Sequence, residues 1–88
     1  MSVPMKFFIL KCIANQEKPS SYKDILPLVQ EHYPNERQVN EKNVINHLEA
    51  FAVVGATNVV DAYEEGQNLY MTYELTEYGK NLLKYIKE

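Results

Sequence analysis

The sequence lacks the features of a disulfide-stapled, secreted or membrane-spanning protein. It has one cysteine, Cys12, and no tryptophan among 88 residues, so no disulfide can form within the chain. Its longest apolar runs are interrupted by Lys11 and Gly55 and fall short of the ~20 residues that cross a bilayer. The chain does not open with a secretory signal pattern. We therefore expect a cytoplasmic protein that has no membrane partner.

Motifs of catalysis and metal binding are also missing from the sequence. It contains no glycine-rich phosphate loop, no nucleophile elbow and no pair of carboxylates spaced for acid and base catalysis. Cys12, His32 and His47 fall on separate predicted helices, without the spacing of metal ligands. We expect a protein that is not an enzyme and that needs neither a metal nor a cofactor.

Length and composition predict one domain over residues 1 to 88. Apolar side chains make up 45% of the chain and charged ones 24%, as in globular proteins. A chain this short buries only ~60 to 65% of its unfolded surface, so a second subunit would add useful burial. The net charge is −3, and residues 49 to 77 hold six acidic residues and no basic one. This acidity counts against a protein that grips nucleic acid with its whole surface.

Apolar residues at helical spacing predict a first helix from about Pro4 to Asn15. Beside its core stripe, this helix carries a second apolar stripe of Phe7, Leu10 and Ala14. A helix that is apolar on both sides must be covered on both sides. The second stripe therefore needs a partner, either another helix of the same chain or a second subunit.

Capping residues mark the starts of the next helices. Ser21 and Asp24 have the spacing of a capping box before helix two, and Pro27 inside this helix predicts a kink or a late start near Asp24. Asn40 is a good N-cap for helix three, over about residues 41 to 53. The remaining elements follow in order: a strand over 57 to 63, a turn over 64 to 68, an alternating return strand over 69 to 75 and, after the cap Thr76, a last helix over about 77 to 87.

This order of elements resembles the winged helix-turn-helix. The most specific match is Tyr73-Glu74-Leu75-Thr76-Glu77-Tyr78-Gly79-Lys80, which is similar to the end of the wing in regulators of the multiple-antibiotic-resistance and phenolic-acid types. The segment from Ser21 to Ile25 resembles the opening of helix two in many winged helices. The resemblance implies an α+β fold, a three-helix bundle with a β-hairpin wing and a C-terminal helix. It also implies a small DNA-binding transcriptional regulator that places helix three in the major groove of duplex DNA.

On this resemblance, the residues that would read base edges are Asn43, Asn46 and His47, while Lys42 and Arg37 would contact phosphates. Lys18 and Lys23 flank the start of helix two, where winged helices commonly touch the DNA backbone. The alternative is a polar, solvated helix face beside two ordinary surface lysines. Residues 36 to 48 carry no net charge from their lysine, arginine, aspartate and glutamate side chains.

The predicted wing tip departs from the family pattern. Related wings often carry arginine or lysine, but this turn is Glu64-Glu65-Gly66-Gln67-Asn68. Its carboxylates repel phosphate, so a DNA contact through the wing is not expected. The turn is then either a protein contact or an ordinary soluble turn.

Seven tyrosines exceed what a small core needs, and tyrosine is enriched at half-buried interfaces. One hypothesis is a homodimer that pairs the second stripe of helix one with the last helix. The other is packing of these two helices within one chain. A further possibility is a protein-docking module that uses the acidic wing and the tyrosine-rich surface without touching DNA. The residues of the predicted dimer interface are Phe7, Leu10, Tyr78, Leu82, Tyr85 and Ile86.

Overall fold

The computed structural model describes residues 4 to 85, which form four helices and one antiparallel hairpin. The predicted α+β class and the order of the elements are confirmed. None of the helices in this range is both long and apolar enough to cross a membrane. The elements are α1 (Met5–Ala14), α2 (Tyr22–His32), α3 (Glu41–Val53), β1 (Thr57–Glu65), β2 (Asn68–Leu75) and α4 (Glu77–Lys84).

Three helices begin at the capping residues that the sequence predicted. The Ser21 hydroxyl and the Asp24 carboxylate form a reciprocal capping box at the start of α2. The Asn40 side chain accepts from the backbone N–H of Asn43 at 2.9 Å, and the Thr76 hydroxyl accepts from that of Gly79 at 3.0 Å. Each cap satisfies backbone donors that have no partner within the helix.

The predicted late start of α2 near Asp24 is wrong. The helix begins at Tyr22 and contains Pro27. Proline removes one backbone hydrogen bond from a helix interior, but the capping box fixes the first turn ahead of it. The apolar face of α2 also stabilises the helix, because Ile25 and Val29 are fully buried.

The main core lies between the first three helices and the base of the hairpin. Each large aliphatic side chain that is fully buried here contributes about 1.5 to 3 kcal/mol relative to its exposed state. Val39 from the α2–α3 turn and Tyr73 from β2 also belong to this cluster. Its buried members are Ile9, Cys12, Ile13, Ile25, Val29, Val39, Val44, Leu48 and Tyr73.

A second cluster covers the other side of α1. Leu10 packs with Phe51 and Ala56, and Leu82 and Leu83 of α4 lie against them. Leu10 is fully buried within the protomer, so its assignment to a dimer interface is wrong. Leu10 is covered by α4 of the same chain, which is the packing that the sequence left as an alternative, and Phe7 packs against the same cluster, whereas Ala14 of this stripe is exposed.

The hairpin reaches beyond the core, and its register contains a bulge. Val59 pairs with Tyr73 and Asp61 with Thr72, which leaves Val60 as the extra residue on β1. The turn is shorter than predicted, since the strands continue to Glu65 and resume at Asn68.

Gly66 has a φ of 65° at the first central position of this turn, where a type II′ turn favours glycine. The alternation predicted for β2 continues in its outer half, but there the side of the strand that carries Tyr73 is exposed. Tyr70 is buried there, whereas Leu69 and Met71 are 59% and 40% exposed, because this part of the strand has left the core.

The end of α3 and the start of α4 meet at the backbone of Gly55 and Ala56. Gly55 has a φ of 87°, and Ala56 N–H donates to the Phe51 carbonyl at 2.8 Å, as in a Schellman ending. Thr76 N–H then donates to the Ala56 carbonyl at 3.0 Å. A Cβ atom on Gly79 would lie 2.1 Å from that same carbonyl oxygen. The first turn of α4 can therefore approach this loop only if residue 79 is glycine.

Replacement of Gly79 by alanine should destabilise the protein. Alanine at an unstrained helix position stabilises by about 0.5 to 1 kcal/mol relative to glycine, but here the new methyl group overlaps a backbone oxygen. We expect a net loss of about 1 to 3 kcal/mol, measured by urea unfolding followed by circular dichroism. The exposed Asn81→Ala in the same helix is the control, with a change of about 0.5 kcal/mol or less. Wild-type stability for Gly79→Ala would contradict this close approach.

Truncation of Leu10 tests whether its burial is internal. Leu10→Ala should lower the free energy of unfolding by about 2 to 5 kcal/mol, because it leaves a cavity between α1 and α4. The loss should be the same at two protein concentrations ten-fold apart. A loss that changes with concentration would instead place Leu10 between subunits.

Candidate interaction surface

The exposed side of α3 combines polar, acidic and apolar groups. The sequence singled out Lys42 and Asn46 on this side, and both are exposed. It did not single out Glu49, which is also exposed, or Val53, which is 86% exposed. A carboxylate and an exposed valine on this side of the helix do not favour contact with phosphates or base edges.

Three residues were predicted to read base edges. Asn43 makes local hydrogen bonds and His47 is partly buried, so of the three only Asn46 is both exposed and without such a role. The Asn43 amide donates to the Gln38 carbonyl at 2.8 Å and to the Gln38 Oε1 at 3.2 Å, which ties the α2–α3 turn to α3. His47 is half-buried. Burial, together with nearby Lys6, lowers the pKa of His47, which disfavours a positive charge on the ring at pH 7.

The four residues predicted to contact phosphates differ in their surroundings. Lys18, Arg37 and Lys42 are exposed. The Lys23 ammonium instead forms an ion pair with Glu65 of the hairpin and lies 4.6 Å from the centre of the Tyr70 ring. The hydrogen bond to Glu65 raises the pKa of Lys23. The acidic turn therefore does more than repel phosphate, because one of its carboxylates neutralises a lysine expected to bind DNA.

A row of tyrosines holds the hairpin against α2. The rings of Tyr22 and Tyr70 are 5.5 Å apart, and those of Tyr63 and Tyr70 are 5.3 Å apart. Tyr22 donates from its hydroxyl to Glu41 at 3.0 Å. Burial and this bond raise the pKa of Tyr22 well above its ordinary value, so the hydroxyl stays protonated as a donor. These aromatic contacts lie within the chain, so Tyr22 and Tyr70 contribute little to a tyrosine-rich surface, while Tyr63, Tyr78 and Tyr85 stay exposed.

The residues proposed for a dimer interface differ in exposure. Phe7 and Leu82 are half-buried against the second cluster. Tyr78 on α4 is 53% exposed, and Tyr85 directly after this helix is 85% exposed. Ile86 lies outside the residues that the structure describes.

A groove between α3 and β2 was missed by sequence reasoning. Its volume is about 130 Å³, and apolar side chains of Ile45, Leu69 and Met71 make up much of its wall. The helical spacing of Ile45 with Leu48 and Ala52 is that of a core stripe, and the sequence gives no sign that the outer part of β2 leaves the core. The groove is lined by Tyr22, Ile45, Glu49, Leu69, Met71 and Tyr73.

Carboxylates flank this α3–hairpin groove on two sides. Glu49 lines it from α3, and burial with the nearby Glu49 charge raises the pKa of Tyr73 on the opposite wall. Glu64 pairs directly with Leu69 in the hairpin register, so their side chains share one face of the sheet. Exposed apolar groups and carboxylates thus lie side by side on this surface.

Another depression lies between α1 and α2. Phe8, Cys12 and His32 line it, with the Phe8 and His32 rings stacked 4.0 Å apart. Burial raises the pKa of the Cys12 thiol to about 11, so the reactive thiolate is scarce at neutral pH. Within residues 4 to 85, no group of three histidine, cysteine or acidic side chains is placed to hold a metal ion.

Comparisons with protein-family models, curated proteins and solved structures give no match for this chain.

Proposed function

We propose that this chain is a winged-helix module that docks a protein partner through α3 and its hairpin wing. The observation that carries this proposal is the α3–hairpin groove, where Leu69 and Met71 are exposed beside the carboxylates of Glu49 and Glu64. Apolar groups that lie together on a surface and are bordered by polar ones are typical of protein interaction sites.

The charges of the wing support a protein partner over DNA. In winged-helix complexes with DNA, the wing approaches the phosphate backbone, and each cation that does so gains affinity by counterion release. Here the outer wing carries Asp61, Glu64 and Glu65, and Lys23 beside it is paired with Glu65. This arrangement offers no such gain, while carboxylates on a protein interface can select a complementary partner.

Exposed valines extend the apolar part of the wing. Val59 and Val60 on β1 are each 48% exposed, on the strand that pairs with β2. Burial of apolar area at a protein interface contributes about 25 cal/mol per Å² before the costs of association. DNA would not recover this contribution to the same degree, because its grooves and backbone are largely polar.

Affinity capture from an extract of the native host tests the docking function. Wild-type protein should retain a partner, and Leu69→Ser combined with Glu49→Lys should lose it, because the pair removes the apolar contact and reverses a rim charge. Tyr78→Ser combined with Glu77→Lys on α4 is the matched control and should retain the partner. Equal capture by the groove variant, or no captured protein, would contradict the proposal.

Binding of duplex DNA is a second candidate function, favoured by the exposure of Arg37, Lys42 and Asn46 around the start of α3. The N-terminal residues of a recognition helix are the ones that reach base edges. In this alternative, a homodimer of regulatory type would present two third helices about 34 Å apart to successive major grooves.

Fluorescence anisotropy with labelled duplexes separates the two candidates. For the docking module, we expect a dissociation constant weaker than about 100 µM at 200 mM salt, beyond the usual range of non-specific DNA binding. Glu64→Lys combined with Glu65→Lys should strengthen DNA binding, because it converts the wing to a basic arm and releases Lys23. Tight wild-type binding that weakens steeply from 50 to 200 mM salt, and that is lost in Arg37→Ala combined with Lys42→Ala, would establish the DNA alternative instead.

A further inference from the structure

The size of the α3–hairpin groove limits what can enter it. Its volume is about 130 Å³, and cavities of about 150 Å³ with apolar walls accommodate a benzene ring. The groove therefore has room for one large apolar side chain, such as leucine or phenylalanine. Ile45, Leu69 and Met71 supply the apolar contacts for such an anchor.

The charges around the groove indicate which residues of a partner would lie beside that anchor side chain. Glu49 on α3 and Glu64 on β1 flank the apolar wall, and Glu41 lies within hydrogen-bond distance of Tyr22 in the same wall. Lys42 is exposed on α3 and offsets part of this charge. Lys23 does not, because its ammonium is paired with Glu65. The remaining negative charge favours a cationic segment.

We propose that the groove binds a basic segment of a partner protein, with one leucine or phenylalanine inserted between α3 and β2 and lysine or arginine side chains paired with Glu49 and Glu64. This inference rests on the proposed docking function and adds the chemistry of the partner. DNA lacks both the apolar anchor and the positive charge that this surface selects.

Synthetic peptides provide the probe. The first peptide carries a central phenylalanine between two pairs of lysines, the second replaces the lysines by glutamates, and the third replaces the phenylalanine by serine. Each is titrated into the ¹⁵N-labelled full chain and followed by amide chemical shifts. The first peptide should give saturable shifts centred on Ile45, Glu49, Leu69 and Met71. The other two should bind at least about tenfold more weakly.

Variants of the chain tie this binding to the groove. Glu49→Lys and Leu69→Ser should each weaken the first peptide at least about tenfold, while Glu31→Lys on the far side of α2 should leave its affinity unchanged. The dispersion of the amide spectrum checks that each variant is folded. If Leu69→Ser fails this check, Leu69→Ala and Glu49→Gln replace the two groove variants and should weaken binding in the same direction.

Four results would overturn the inference. The first two are equal binding of the acidic peptide and chemical-shift changes centred away from the groove. The third is no binding by the basic peptide up to about 1 mM. The fourth is a set of shifts at the groove that depend on protein concentration without peptide, because a second copy of the chain would then be the occupant of the groove. If affinity capture still depends on the groove when the basic peptide fails, the docking function stands and only the partner chemistry is wrong.

Discussion

The carbonyl oxygen of Ala56 is the point at which α3, the hairpin and α4 are joined. The Schellman ending of α3 directs the chain into Ala56, whose carbonyl accepts from Thr76 N–H where β2 passes into α4. Gly79 then lies against the same oxygen. This close backbone contact places Leu82 and Leu83 over Leu10, so the second hydrophobic cluster depends on a residue that has no side chain.

The outer hairpin depends on different forces, because it extends past both hydrophobic clusters. The Tyr22, Tyr70 and Tyr63 rings and the ion pair between Lys23 and Glu65 attach it to the start of α2. The exposed ion pair contributes little stability by itself, and it compensates the Lys23 ammonium and the Glu65 carboxylate together. The ring contacts thus fix the place of the outer hairpin, while the acidity of the neighbouring groove comes from Glu41, Glu49 and Glu64.

Local chemistry predicted much of the fold, because capping boxes, N-caps and glycine turns act over three or four residues. Ser21, Asn40 and Thr76 cap the helices as their sequence neighbours indicate. The pairing of Lys23 with Glu65 joins residues 42 positions apart, and no local pattern encodes it. The groove was missed for a related reason. Alternation in β2 predicts which side chains share a face, but not the point at which the strand leaves the core, so Leu69 could not be recognised as exposed.

The bulge at Val60 also bears on the solubility of the protein. In residues 4 to 85, β1 pairs only with β2, which leaves the backbone of its other edge open to a strand from another molecule. An extra residue in β1 interrupts the regular spacing of donors and acceptors along this edge, and Asp61 follows it directly. Edge strands that are bent and charged resist intermolecular pairing. The hairpin can therefore keep Val59 and Val60 in water without acting as a template for fibrils.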